Sequence, residues 1–189
     1  HLLSPEQLER KIEAICGAPW GRLDKHMQIL YGGINSKSVT ERLAEPSGAM
    51  GAIQRIMANE VACRIVAADF ALNPGERRLF PNIEPDVVPG KASSDQQIRL
   101  AIVYLHQRLL GRIESVDAPE VERTYQLFAG ILADVKSRTE NGQSIDPREN
   151  YHCRASRKDG PRTADPHYTL RAWRGVVTYL LRQEEFLYE

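Results

Sequence analysis

Hydrophobic positions recur at helical spacing through most of the chain, and one stretch, Ser47–Leu72, carries two such stripes. Met50, Ile53, Met57, Val61, Ile65, Ala68 and Leu72 form the first. Ile56, Cys63, Val66 and Phe70, with Asn59 among them, form the second. A helix with two apolar stripes is covered on more than one side, so this segment is the predicted centre of the core. Arg55, Glu60 and Arg64 share the remaining surface, and Glu60 stands at the favourable i,i+4 spacing from Arg64.

Further helices are marked by their ends. Ser4, Pro5 and Gln7 spell a capping box with proline at the first helical position, Leu8, Ile12 and Ile15 point inward, and Gly17 ends the helix. A turn at Gly17–Arg22 leads to a short helix over Leu23–Leu30, stopped by the turn at Gly32-Gly33, and a second short helix is predicted over Ser38–Glu45. Asn73-Pro74-Gly75 closes the central helix, and Glu76–Ser94, with Pro81, Pro85 and Pro89, reads as an extended surface connector. Asp95–Gly111 is a helix capped by Ser94 with Gln97, its stripe being Ile98, Ile102, Leu105 and Leu109. Asp117 with Glu120 caps the next, which carries Val121, Thr124, Leu127, Phe128, Ile131 and Val135 to about Lys136. From Ser137 to Asp165 apolar residues become scarce, and Asp165 then caps a last helix with Leu170, Trp173, Val177, Leu180 and Leu181 inward.

No strand and no internal repeat is visible. The prediction is one all-α domain over 1–189, an irregular bundle of about five main helices with long polar connectors at about 73–94 and 137–165. Its 189 residues suffice for a real core. With 25 basic against 25 acidic residues, no global charge favours nucleic acid or an anionic membrane. No apolar run reaches the roughly 18–20 residues that span a bilayer. The chain opens at His1 without a signal pattern, which suggests a processed product or an excised piece of a longer polypeptide.

Candidate chemistry is sparse. His1, His26, His106, His152 and His167 form no HExxH or zinc-finger spacing, and no metal site is predicted. No CxxCH is present, so no cofactor is evident, and any haem would belong to a partner or a missing domain. His106, beside a buried stripe, reads as a structural histidine bonded to a carbonyl or carboxylate. Tyr151-His152-Cys153 is the most reactive local group, but adjacent residues do not converge easily on one metal. Cys16, Cys63 and Cys153 allow one bridge and one free thiol, or three reduced thiols; a Cys63–Cys153 disulfide would staple the polar loop to the central helix. Arg148, Arg154, Arg157, Lys158 and Arg162 alternate with Asp146, Glu149, Asp159 and Asp165, as a solvated mixed-charge loop does.

Five segments taken together are familiar: LYGGI (Leu30–Ile34), RIMANEVACR (Arg55–Arg64), RRLFP (Arg77–Pro81), VYLHQRLLG (Val103–Gly111) and RAWRGVVTYLL (Arg171–Leu181). The set resembles the C-terminal part of large uncharacterised exported proteins of planctomycetes, myxobacteria and some marine proteobacteria. Those proteins combine domains of unknown function, sometimes joined to or encoded near cytochrome-c-like domains. The resemblance implies a periplasmic or extracellular setting and a larger parent polypeptide or assembly, and it carries over no catalytic residue.

The leading expectation is a non-enzymatic structural or interaction subunit, or fragment, of such an assembly, a redox one included, with other protein subunits or the rest of the parent chain as partners. The alternative is an enzyme or a ligand- or haem-binding domain. Its site would lie between the central helix 47–72 and the 137–165 loop, using Asn59, Glu60, Arg64, His106 and His152.

Overall fold

The computed structural model describes residues 1–23, 27–34, 40–41, 47–150 and 162–188, the side chains of Asn150 and Arg162 excepted. The fold is all-α, as the periodicity predicted. Helix α1 (Pro5–Cys16) begins at the predicted capping box, with Gln7 N–H donating to Ser4 Oγ (3.2 Å) and Ser4 N–H to Gln7 Oε1 (2.8 Å). It ends at Gly17, whose φ of 81° is the left-handed cap that glycine adopts without strain. The Glu9 carboxylate then takes the N–H groups of Gly21, Arg22 and Leu23 and fixes the following turn. Of the expected Leu23–Leu30 helix, Met27–Leu30 is helical (α2), Leu23 belongs to the preceding turn, and 24–26 lie outside the described residues. The helix predicted over Ser38–Glu45 falls, apart from 40–41, outside the described residues.

Helix α3 (Gly48–Phe70) is the predicted centre, capped by Ser47. Met50, Ile53, Met57, Val61 and Ile65 of the first stripe are buried, whereas Ala68 and Leu72 are exposed. Of the second stripe Cys63, Val66 and Phe70 are buried, and Ile56 and Asn59 are exposed. The main covering helix, α6 (Thr169–Leu180), has 12 residues against 23 in α3. At 1.5 Å per residue it spans about 18 Å of about 34 Å, so part of α3 is left to solvent.

The 73–94 connector is not the surface strap its prolines suggested. Leu79, Phe80 and Ile83 are buried, and one carboxylate explains how irregular backbone can run through a core. Asp69, itself 6% exposed, accepts the N–H groups of Arg78 (2.7 Å), Leu79 (3.1 Å) and Phe80 (2.9 Å). Arg77 completes the clamp by donating to the Leu72 and Ile83 carbonyls and forking onto Glu84. Phe80 is thereby set in an aromatic ladder. It stacks on Phe70 (4.4 Å between centroids) and tilts against Trp173 (5.2 Å), which meets Phe128 (4.4 Å). Four segments distant in sequence share this contact.

Helix α4 (Ala92–Leu105) starts before the predicted Asp95, capped by Lys91 backbone alone; the expected Ser94–Gln97 box is not its cap. Asp95 has another task, accepting from Gly90 N–H (2.9 Å) and Tyr125 Oη (2.8 Å). The predicted stripe Ile98, Ile102, Leu105 and Leu109 is buried, although the helix widens into a π segment over His106–Leu110 that ends at Gly111 with φ 70°. Helix α5 (Pro119–Glu140) is preceded by Ala118 rather than capped by Asp117, and it runs about one turn past the predicted end. Val121, Thr124 and Phe128 are buried, and no residue after Phe128 is. Ile131 and Leu132 still pack against the core, so it is the segment after Leu132, about two turns, that overhangs it.

The polar stretch after α5 is not wholly a loop. Arg148–Asn150 (β1) and Arg162–Ala164 (β2) pair antiparallel with Arg148 opposite Ala164, a ribbon too short to show as an alternating pattern. Asp165 is likewise no solvated loop charge. Its side chain is fully buried, taking the N–H groups of Leu170 and Arg171 at the start of α6 and the Arg171 Nε (2.9 Å). Leu170, Trp173, Val177, Leu180 and Leu181 are buried as predicted. Helix α7 (Glu184–Leu187) closes the chain against the π segment, and Leu2 bridges Tyr188. No helix among the described residues is long and apolar enough to cross a membrane.

Removing the Asp69 carboxylate leaves three backbone donors without their acceptor beneath the aromatic ladder. Asp69→Ala is expected to lose about 3–5 kcal/mol in urea unfolding. A loss below about 1 kcal/mol would show that the connector holds its place without it.

Candidate functional site

The residues nominated from sequence do not converge. Glu60 accepts from Trp20 Nε1 (2.9 Å) and pairs with Arg22, while Arg64 Nη2 donates to the carbonyls of Pro19 (3.4 Å) and Trp20 (3.3 Å). The expected Glu60–Arg64 pair thus gives way to two fastenings of the 17–23 turn onto α3. His106 is 1% exposed. Its Nδ1 lies 2.5 Å from Glu114 Oε2 and its Nε2 2.9 Å from Thr124 Oγ1. Because the Thr124 hydroxyl donates to the Glu120 carbonyl (2.9 Å), it accepts from His106 Nε2–H, and the other ring nitrogen is hydrogen-bonded to Glu114. This is the structural histidine expected from the sequence, locking the π segment to α5 and to the segment after it. His152 and Cys153 lie outside the described residues.

Two of the nominated residues do meet in a small cavity of about 310 Å³, lined by Asn59, Glu60, Cys63, Arg174 and Thr178. It lies between α3 and α6, without Arg64 or His106. Arg174 reaches across it, its Nη1 standing 3.8 Å from Cys63 Sγ and 3.5 Å from Glu149 Oε1. Glu149 of β1, within the polar stretch, is therefore held within one arginine's reach of Cys63.

A larger cavity, about 840 Å³, lies elsewhere, under the overhanging end of α5. Leu132, Ala133 and Val135 of α5 form one side, Ile145 and Pro147 of the returning chain another, and Val88 and Pro89 a third. The 165–171 turn closes its base. There the Asp165–Arg171 pair is buried, and Arg171 Nη2 donates to the Asp146 carbonyl (2.7 Å). Tyr168 holds φ 61°, an uncommon conformation for a bulky residue, with the Arg171 guanidinium 3.9 Å over its ring. Tyr168 also lines a second hollow of about 380 Å³ on the other side of α5, so its ring belongs to both walls. At the far end, burial and the Asp95 carboxylate push the Tyr125 phenol up to about 12, which keeps it a neutral donor.

An apolar hollow of this size with a few fixed polar groups suits a bound molecule. Among the described residues no group of three or more His, Cys, Asp or Glu side chains is placed to hold a metal ion. Sequence reasoning missed this site because its walls come from four segments. The one local signal was Asp165, read as the cap of the last helix; the N-cap position is Tyr168 instead, and Asp165 reaches the Leu170 and Arg171 amides from three residues before it.

No protein-family model matches the chain, no curated protein matches it, and no solved structure matches it.

Cys16 is a free thiol at the end of α1. Burial pushes it from 9.0 to about 12, against the pull of Arg108 and Arg64. A folded value above the unfolded one means that stability is intact below pH 9 and declines as the pH rises towards 12. Native Cys16 is expected to resist iodoacetamide at pH 8 and to react on unfolding, as read by peptide mass, and Cys16→Ala to flatten the alkaline decline. Rapid native labelling at pH 8 would overturn the assignment.

Proposed function

We propose that this chain is a non-catalytic binding module of a larger extracytoplasmic assembly, and that it holds an apolar ligand in the groove between the end of α5 and the 165–171 turn. The supporting observation is a division of labour. The groove is roomy and mostly apolar, whereas the polar groups that resemble catalytic ones are engaged in holding the fold. His106 is enclosed between Glu114 and Thr124, Asp69 is spent on three backbone amides, and Asp165 and Arg171 are spent on each other. A ligand in the groove would extend the cover over the end of α5, beyond Leu132, that the core leaves bare.

The reading is tested with a neutral apolar fluorophore, Nile red. Saturable one-to-one binding is expected, weakened at least about tenfold by Ala133→Trp, which fills an exposed position of the groove wall, with melting temperature unchanged. Absence of saturable binding, or indifference to Ala133→Trp, would overturn it.

The setting belongs to the same proposal. A redox association would come through a partner carrying the cofactor, and the resemblance to exported proteins supports an oxidising compartment. A Cys63–Cys153 disulfide fits it: Glu149, four residues before Cys153, is already tied through Arg174 to Cys63. Four residues reach about 14 Å at most, enough to return the chain to Cys63. Intact mass before and after reduction with alkylation is expected to give one disulfide and one free thiol, Cys16. Three freely alkylated thiols in protein purified from the periplasm would refute the bridge.

A further inference from the structure

We infer that Tyr168 is the specificity-determining residue of the groove under α5. Its ring is held in the wall at a backbone cost, parts the groove from the hollow on the other side of α5, and confines the ligand to a compact apolar body on the groove side. The inference rests on the binding-module reading and adds to it the residue that meets the ligand and the shape that residue admits.

The backbone shows that this side chain is not placed by local preference. The Asp165 carbonyl accepts from Tyr168 N–H (3.1 Å), and the Asp165 carboxylate takes the amides of Leu170 (3.0 Å) and Arg171 (3.2 Å). Between these bonds the chain must reverse into α6, and Tyr168 does so in the left-handed region, at φ 61° and ψ 11°. Among the described residues every other positive φ belongs to a glycine, as at Gly17, Gly111 and Gly142. Glycine or asparagine would make the same turn with little strain, whereas a bulky aromatic residue pays for its Cβ. Strain of this kind gathers at ligand-holding positions.

The placement of the ring shows what it serves. It is only half-buried, and the hydroxyl makes no hydrogen bond with the described residues, so packing and polar anchoring are both incomplete. Its position is nevertheless fixed. The Arg171 guanidinium lies 3.9 Å over the ring and is itself held by the Asp165 carboxylate and the Asp146 carbonyl. Three residues line both the groove of about 840 Å³ and the hollow of about 380 Å³: Val135, Ile145 and Tyr168. Val135 belongs to the overhanging end of α5 and Ile145 to the chain returning from it. Tyr168 alone comes from the opposite side, so its ring completes the partition between the two spaces. A ligand on the groove side rests against that ring, and a long chain cannot pass beneath α5 while the ring is there.

The test separates a wall built for a ligand from a ring that merely packs. Asparagine tolerates the left-handed turn and removes the ring. In Tyr168→Asn, relief of strain offsets the lost packing, so the melting temperature is expected to stay within about 3 °C of the native chain. Nile red affinity is expected to fall at least about tenfold, and Tyr168→Phe to restore it. Gly130 lines the smaller hollow and not the groove, and a Cβ there meets nothing within 4 Å. Gly130→Phe is therefore expected to fill that hollow and leave Nile red binding unchanged. A larger fall in melting temperature for Tyr168→Asn makes the ring structural and overturns the inference while the groove stands. Undiminished binding in Tyr168→Asn, no restoration by Tyr168→Phe, or weakened binding in Gly130→Phe does the same. Absence of saturable Nile red binding to the native chain overturns the groove itself.

Discussion

One carboxylate in the interior decides how this chain can be packed. The proline-interrupted connector satisfies amides of its own only at its turns, and burying the N–H groups of Arg78, Leu79 and Phe80 bare would cost more than its apolar side chains return. Asp69 removes that cost by accepting all three, at the point where α3 ends. Leu79, Phe80 and Ile83 can then enter the core, and Phe80 joins Phe70 to Trp173 and so to Phe128. The relation of α3, α5 and α6 depends on that ladder, and with it the position from which α5 overhangs.

The same economy governs the other buried charges. Asp165 organises the start of α6 and holds Arg171, whose guanidinium in turn gathers the Asp146 carbonyl and approaches Glu149 at 3.6 Å. The groove base is thus assembled from groups already satisfied by one another, which makes it rigid. His106, Glu114 and Thr124 have the look of a proton relay in projection. His106 and Thr124 are buried between the π segment and α5, however, and Glu114, partly exposed in the segment between them, ties the two together.

Much of the scaffold was legible residue by residue. Ser4, Gln7, Gly17 and Ser47 marked helix ends correctly, and the stripes of α4 and α6 are buried as spaced. Errors arose where a side chain found a distant partner. Asp95 turned to Gly90 and Tyr125, Glu60 turned to Trp20 and Arg22, and the polar run after α5 yielded a ribbon. Of the nominated residues, Asn59 and Glu60 share a small cavity with Cys63, whereas Arg64 and His106 are structural.

The sequence by itself determined the helical class, the starts of α1 and α3 and most of the faces the helices bury, because capping and 3.6-residue periodicity are local properties. It also gave His106 a structural role, as a half-buried residue, where the structure buries it fully. The tertiary structure alone decided that the connector enters the core, that α5 outruns its support, and that a groove opens beneath it. Those outcomes depend on which distant segments supply an acceptor, a ring or a wall, and spacing along the chain carries no information about that return.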